Sequence, residues 1–475
     1  MTPQKYEMTI GIECHVQLAT KTKLFSGSDN DATNKEPNAA TGPIDFGLPG
    51  MLPVLNKRAV ELAVIAGKAL NAAIAPVSRF DRKHYFYPDL PKGYQISQMY
   101  QPIILAGHVD VPLVDGSSFR VRIHHAHLEE DAGKLTHHGT YSLVDLNRAG
   151  TPLIEIVSEP DIHSPLEAKA YAAELYRLMT YAGVTYGDLY QGNMRFDVNL
   201  SVAPVGATEL GTRAEVKNLN SFRSVERAAE YEFQRQVELL EKGEKIVQET
   251  RGWDDATGKT SSQRSKEDAQ DYRYMPDPDI PPIVLSSQDI ERIQADAGRL
   301  PQEYREAFQP LGLDPTVIDA IMAKKETADF IYTIAAQNQA AAKRAGYWLQ
   351  LTSSDDEQTL VQVEVPRVIE LSDMVENAEI SATAAKDVWL ELQKSTDSAR
   401  AIAEAKNLLQ VSDEAAVLEL VDAVLADPAS AQSIQDIRDG QEKAIGFLVG
   451  QVMKRSQGKA NPALVQKVMR ARLEQ

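Results

Sequence analysis

Apolar and polar residues alternate without a break from Ile10 to Leu18. Ile10, Ile12, Cys14, Val16 and Leu18 occupy one phase, and Gly11, Glu13, His15 and Gln17 the other. Strand side chains point to opposite faces with period two, so the first phase covers a core while the second stands on a shared face. Two further acidic segments are strand-like: HLEEDAGK at 127–134 and TPLIEIVSEPD at 151–161. In the latter, Leu153, Glu155, Val157 and Glu159 share one face. A sheet face gathering several carboxylates and an imidazole suits Mg²⁺ or Mn²⁺, which take oxygen ligands, keep waters and hold substrate phosphates.

The same alternation recurs further on. In NMRFDVNLSV at 193–202, Met194, Phe196, Val198, Leu200 and Val202 form the apolar face, and Arg195, Asp197, Asn199 and Ser201 the polar one. In TRAEVKNLNS, Arg213, Glu215 and Lys217 alternate with Ala214 and Val216. The polar face of a half-buried antiparallel strand is ordinarily just wet. Solvated faces, however, are rich in Lys, Ser and Thr. Here Arg195, Arg213 and Lys217 sit among carboxylates, which suits a site holding metal and phosphate together.

Length and charge set the frame. At 475 residues, the chain has room for two to four domains of roughly 150 residues. No apolar run reaches the roughly 18 residues that span a bilayer, and the start does not read as a signal peptide. One cysteine, Cys14, excludes an intrachain disulfide, and a cytoplasmic setting is the simplest expectation. The net charge of −18 argues against broad nonspecific nucleic-acid binding. That charge is uneven: residues 410–442 carry eight acidic side chains and one basic, whereas 443–475 carry seven basic and one acidic. A basic tip on an acidic chain is a plausible phosphate-backbone contact, set against a simple solvated helical face.

The first 275 or so residues mix strands with a few helices. Asn56 is placed to cap a helix running to about Asn71. Ser164 opens a second, with Pro165 at the first helical position and Glu167 completing a capping box, ending near Gly183. A third runs from about Ser221 to Gly243. The proline-rich MPDPDIPP at 275–282 reads as a boundary. Beyond it almost everything reads as helical, except 360–371, an extended linker or an interrupted helix pair.

Several signals are set aside. GWDDATGKT at 252–260 is a poor phosphate loop, because five residues separate its glycines where the motif has four. The histidines His124, His125, His127, His137 and His138 lack nearby cysteines and helical i, i+4 spacing, so zinc is not expected. No nucleophile elbow appears, and Cys14 lies on the apolar phase, as a buried inert thiol would.

Taken in order, GIECHVQL, KLFSGSD, GLPGMLPVLN, DRKHYFYPDLPKGYQISQ, HLEEDAGK, SLVDLNRAGTPLIEIVSEPD, EVKNLNSF, QETRGWD and DYRYMPDPDIPP resemble the B-subunit family of glutamyl/aspartyl-tRNA amidotransferases. The resemblance reaches GKANPALVQKVM near the end and covers essentially the whole chain. It implies an α+β fold: a glutamine-synthetase-like antiparallel-sheet cradle over 1–292, an all-α domain over 293–408 and a small helical tRNA-binding tail over 409–475. It implies ATP-dependent phosphorylation of the side-chain carboxylate of Glu-tRNA(Gln) or Asp-tRNA(Asn), then amidation with ammonia from an amidase (A) subunit. A small C subunit would complete a heterotrimer. A tRNA-binding scaffold without catalysis is the alternative, and a glutamine-synthetase-like enzyme for free amino acids would leave the basic tail unexplained.

The resemblance also assigns residues. It implies metal ligands Glu13, His15, Glu130 and Glu155 for Mg²⁺, although strand alternation could equally turn Glu129 inward. Arg195, Asp197, Glu215 and Lys217 would line the nucleotide and acceptor site. Lys83 and Lys92 would border the ammonia route, and Asn147, Arg148 and Thr151 the turn before the third acidic segment. Lys443, Lys454, Arg455, Lys459, Lys467, Arg470 and Arg472 would contact tRNA phosphates. Many family members carry Cys-x-x-Cys-like pairs between the positions matching Phe25 and Gly47. This chain has none there, so no structural zinc is expected and the loop must be held otherwise.

Overall fold

The computed structural model describes residues 5–265, 271–351, 363–410, 414–438, 441–456 and 460–473. They form two compact units, 1–303 and 304–475.

The first unit is organised by an eight-stranded sheet. Its strands are β1 (Tyr6–Gln17), β2 (Gly107–Pro112), β3 (Ser118–Glu130), β4 (Pro152–Ser158), β5 (Met194–Pro204), β6 (Ala214–Leu219), β7 (Glu249–Asp254) and β8 (Lys259–Ser265). Their spatial order is β8-β7-β6-β5-β1-β4-β3-β2, antiparallel throughout except for the parallel β6–β7 pair. The alternation read in the sequence decides which face is buried. Ile10, Ile12, Cys14 and Val16 are fully inside, joined by Ile154, Ile156, Leu128, Phe196 and Val198.

The helices α1 (Lys57–Ala69), α2 (Pro165–Tyr181) and α3 (Phe222–Glu241) pack against that core. Their starts are local chemistry. Asn56, Ser164 and Ser221 accept backbone N–H bonds at the three N-termini, where the first amides lack helical partners. Glu167 departs from the expected box, for its carboxylate takes the N–H of His163 instead of that of Ser164, at 2.7 Å.

The proline-rich stretch is knitted into this first unit. Met275–Pro276 pairs with Asp81–His84, Ile283–Val284 pairs with Val77–Ser78, and Asp277 accepts from Arg82 Nε at 2.8 Å. The helix Ser287–Ala295 straddles the expected division at 292/293, and its Ile293 belongs to the first unit's core. Pairing with exposed strand edges satisfies the backbone groups that a free linker would leave to water.

The second unit is helical among its described residues. Trp348 and Trp389 stack within it at 5.8 Å. The segment 360–371 resolves mainly into a helix, Val365–Glu376, with Pro366 in its first turn; residues 360–362 lie outside the described residues. Toward the end, Val417, Val421, Leu448, Val452, Val465 and Met469 form a separate small core.

The cysteine-free loop is held by ions and amides. The buried Asp45 accepts from Ser26 Oγ at 2.8 Å, Ser28 Oγ at 2.5 Å and Gly42 N at 2.8 Å. The fully buried Lys23 ammonium lies 3.7 Å from it. Asn147 takes the N–H of Ala40 at 2.7 Å and donates to Glu36 O at 2.8 Å. Asp45→Ala therefore strands a buried ammonium, and breaking a buried pair costs about 3–5 kcal/mol. Melting temperature should fall sharply for Asp45→Ala and be partly restored by adding Lys23→Met. Equal melting of the single variant and the wild type would refute the clamp.

Candidate active site

The register of β1 between β4 and β5 builds the site. His15 lies opposite Arg195 on one side and Glu155 on the other, and Glu155 lies opposite His127 of β3. One step along, Glu13 faces Asp197. Directly opposed residues in a sheet sit within side-chain contact, so four strands deliver one polar patch.

Two groups of ligand atoms result. In the first, atoms of His15, Glu129 and Glu155 all lie within 4.8 Å of one another. His15 Nε2 is 3.5 Å from Glu129 and 3.8 Å from Glu155, while His127 Nε2 is 3.2 Å from Glu155. The second group is Glu13, Asp197 and Glu215, also within 4.8 Å. Lys217 Nζ bridges Asp197 at 2.8 Å and Glu215 at 2.9 Å; Thr250 Oγ1 donates to Glu215, and Asn199 Nδ2 to Glu13, both at 2.9 Å.

So many carboxylates in one place must be neutralised. Burial pushes the Glu13 carboxyl up, with Glu155 and Glu215 adding to it. Burial would raise Glu155 too, but the hydrogen bond from His127, together with His15 and Lys83, holds it well below the usual carboxylate range. For His127, burial favours the neutral ring, yet Glu129 and Glu155 outweigh it and lift its pKa to about 10. The Lys217 ammonium is likewise stabilised against burial by Asp197 and Glu215. The protein's own cations thus stand where a divalent ion would also be favoured, and the oxygen-rich donor set fits Mg²⁺ or Mn²⁺.

The residues expected for the site divide between two places. Glu13, His15, Glu155, Arg195, Asp197, Glu215 and Lys217 come together on this face. Glu130 does not. It is buried on the opposite phase, in an ion pair with Lys92 and accepting from Ile96 N at 3.0 Å. Glu129 takes the place on the open face. Lys83 lies 4.8 Å from the Tyr272 ring centre and is kept charged, against burial, by Glu129. Arg195 binds Asp131 at 2.8 Å, and Arg148 approaches the same carboxylate at 3.2 Å. His127 and Asp131 were not among the residues expected here, and Glu129 was expected only as the alternative to Glu130. The phase of Ala126 and Leu128, both apolar and buried, already assigns His127 and Glu129 to the open face.

The discounted signals find ordinary places. Residues 252–260 are the β7–β8 hairpin with its turn, where Asp254 accepts from Ala256 N at 2.9 Å. His125 touches both His124 and His127, and burial drops it to about 4. His137 and His138 lie on a separate hairpin strand, Lys134–His138. Cys14 is buried, which pushes its thiol up.

In the tail, Lys443, Lys454, Lys467 and Arg470 are exposed. Arg455, also exposed, binds Asp427 and Ala423 O, and Arg472 binds Asp422 at 2.9 Å, so these two tie helices together. Lys459 lies outside the described residues.

Comparison with known proteins agrees with this architecture. The family description "GatB/GatE catalytic domain" matches residues 8–291, and "GatB domain" matches 330–473. A relative from Geobacter sulfurreducens is 46% identical over 481 residues, covering 99% of both chains. One from Halorhodospira halophila is 46% identical over 479 residues with the same coverage. One from Thermodesulfovibrio yellowstonii is 44% identical over 473 residues, covering 98% of both. Each is named as the B subunit of an aspartyl/glutamyl-tRNA(Asn/Gln) amidotransferase.

The two faces of β3 make opposite demands on neighbouring glutamates. Glu129→Gln should weaken Mn²⁺ binding about tenfold or more, read by electron paramagnetic resonance, while Glu130→Gln should leave it nearly unchanged. The reverse ranking would return the ligand role to Glu130.

Proposed function

The chain belongs to the GatB/GatE family of tRNA-dependent amidotransferase subunits, and from that premise we propose how its sheet face performs the reaction. The protein works as the B subunit, with an amidase subunit and a small third subunit, in a glutamine- and ATP-dependent ligase. The substrate is a tRNA mischarged with glutamate or aspartate. Among the described residues no helix is long and apolar enough to cross a membrane, and the expected setting is the cytoplasm.

The observation that carries the reading is that two carboxylate groups share one sheet face with Arg195 and Lys217, while Lys83 from a neighbouring sheet is held charged by Glu129. A side-chain carboxylate resists amidation because oxide is a poor leaving group. Its oxygen attacks the terminal phosphorus of ATP, ADP departs, and an acyl phosphate forms. Ammonia then attacks the acyl carbon, the C–O bond to phosphate breaks, and the nitrogen loses a proton. Arg195 and Lys217 offset the negative charge of phosphoryl oxygens, a role suited to preorganised cations. His15, Glu129 and Glu155 would hold one Mg²⁺, and Glu13, Asp197 and Glu215 a second. When bound, such ions neutralise the charge that develops on phosphate oxygens.

Lys92 and Glu130 lie on the reverse phase of β3 from this patch. We assign them, with Lys83, to the path along which ammonia arrives. The tail from 409 onward is proposed to grip tRNA away from its acceptor end, through Lys443, Lys454, Lys467 and Arg470. A pure scaffold has no need to concentrate carboxylates near an anionic substrate.

The test separates the two chemical steps in the assembled complex. Glu155→Ala should abolish both the phosphorylated intermediate and the amidated product, since losing such a site removes several kcal/mol, about 3 or more, of transition-state stabilisation. Lys92→Met should depress product formation from glutamine while the intermediate still forms, and high external ammonium should restore product. Equal loss of both steps with either nitrogen donor would move Lys92 to the phosphate site. Near-normal product from Glu155→Ala would sink the activation reading.

Deleting 409–475 should raise KM for mischarged tRNA and reduce its salt dependence, because each lost phosphate contact removes counterion release. An unchanged tRNA affinity would leave the basic tip as a solvated face.

A further inference from the structure

Just beyond β3, Asp131 draws in two arginines from different parts of the chain. Arg195 of β5 donates from Nη2 to Asp131 Oδ2 at 2.8 Å. Arg148, in the turn before β4, brings its Nε to 3.2 Å of the same oxygen. The other oxygen takes the N–H of Ala132 at 3.0 Å. Asp131 is buried, and its backbone is fixed on both sides. Its N–H donates to Thr151 O and its carbonyl accepts from Gly150 N, both at 2.9 Å. Arg148 is tied further, donating to Ala132 O and Gly133 O at 3.1 Å. Arg195 is different: among the described residues, the bond to Asp131 is the one its guanidinium makes.

Such an anchor sets where the remaining guanidinium N–H groups point. Two strands, β1 and β4, lie between β5 and β3, each spaced about 4.8 Å from the next. Arg195 therefore reaches sideways across the face, over the strands that carry His15 and Glu155. Other carboxylates compete for it. Glu129 and Asp197 also act on the Arg195 charge, but Asp131 acts most strongly. Glu129 belongs to the first carboxylate group and Asp197 to the second. A guanidinium drawn onto either would cover oxygens that suit a metal ion and turn away from phosphate. A planar fork grips phosphate through paired N–H groups, so its angle decides the grip.

We propose that Asp131 is a positioning residue for carboxylate activation: it holds Arg195 across the sheet face, clear of both carboxylate groups, with its remaining N–H groups open to phosphoryl oxygens. The assignment rests on the activation reading given above, in which Arg195 meets phosphate. Asp131 touches no reacting atom and acts through Arg195. Arg148 shares the carboxylate and locks it to the turn, so the anchor stays in place when the guanidinium takes up phosphate. At a preorganised site, misplacing one group by about 1 Å costs up to about a hundredfold in rate.

The experiment measures formation of the phosphorylated intermediate by the assembled complex, in a single turnover with mischarged tRNA. Asp131→Asn keeps the size of the side chain and removes its charge. The rate should fall about tenfold or more at saturating ATP and tRNA. KM for each should stay within about twofold, the split expected when an interaction matters in the transition state alone. Arg195→Met should be at least as slow. The decisive readout is the double variant: Asp131→Asn should cost nothing further once Arg195 is replaced, because the two act as one unit. Additive losses overturn the proposal, since a merely structural carboxylate damages the site with or without Arg195. A rise in KM without loss of rate also overturns it. So does a loss that disappears with Arg148→Met instead, which makes Asp131 an anchor of the turn. Melting curves identify a variant that fails to fold, and Asp131→Ser then carries the same cycle. An unimpaired Arg195→Met sinks the phosphate role of Arg195 and the reading with it. An impaired Arg195→Met beside a folded, unimpaired Asp131→Asn sinks only the positioning role.

Discussion

The pairing of β1 with β4 and β5 is the constraint on which the candidate site depends. A slip of one residue in either ladder would send His15 and Glu13 into the core and bring Ile12 and Cys14 onto the open face. The core prevents that slip. Ile10, Ile12, Cys14 and Val16 are buried without residual exposure of consequence, and burying each such side chain contributes about 1.5–3 kcal/mol. The apolar phase of the strand therefore holds the polar phase in register. Arg195, His15, Glu155 and His127 line up across four strands as a result.

That alignment concentrates like charges, which is unfavourable without compensation. Lys217 between Asp197 and Glu215, Arg195 on Asp131, and His127 against Glu155 provide it. These contacts are internal neutralisation, and they also describe what the face can do. A patch that holds carboxylates and cations at such short range attracts metal ions and phosphate groups alike. The Lys92–Glu130 pair sits on the other phase of β3. Consecutive glutamates thereby serve opposite faces of one strand.

Much of this was legible in the chain because strand alternation and helix capping are local. The apolar set of β1 and β5, and the helix starts at Asn56, Ser164 and Ser221, follow from spacing and side-chain chemistry alone. The choice between Glu129 and Glu130 was legible in principle from Ala126 and Leu128, but a histidine-rich strand obscures its own phase. His127 read as one of a discounted histidine cluster, because nothing in its neighbourhood of sequence shows the distant Glu155. The proline-rich 275–282 read as a boundary for a sound local reason, since proline interrupts ladders. It became part of the first unit because strands nearly two hundred residues earlier offered it free edges.

The sequence by itself determined the strand phases, the helix caps, the family resemblance carried by long ordered motifs and the basic character of the last segment. Each of these depends on residues within a few positions of one another. Tertiary structure alone decided which carboxylates meet, which lysine each one neutralises, how a loop without cysteines is clamped by Lys23 and Asp45, and that two arginines converge on Asp131. Those outcomes depend on strand register and chain packing well beyond neighbouring positions, where side-chain volume and burial, not local propensity, select the partner.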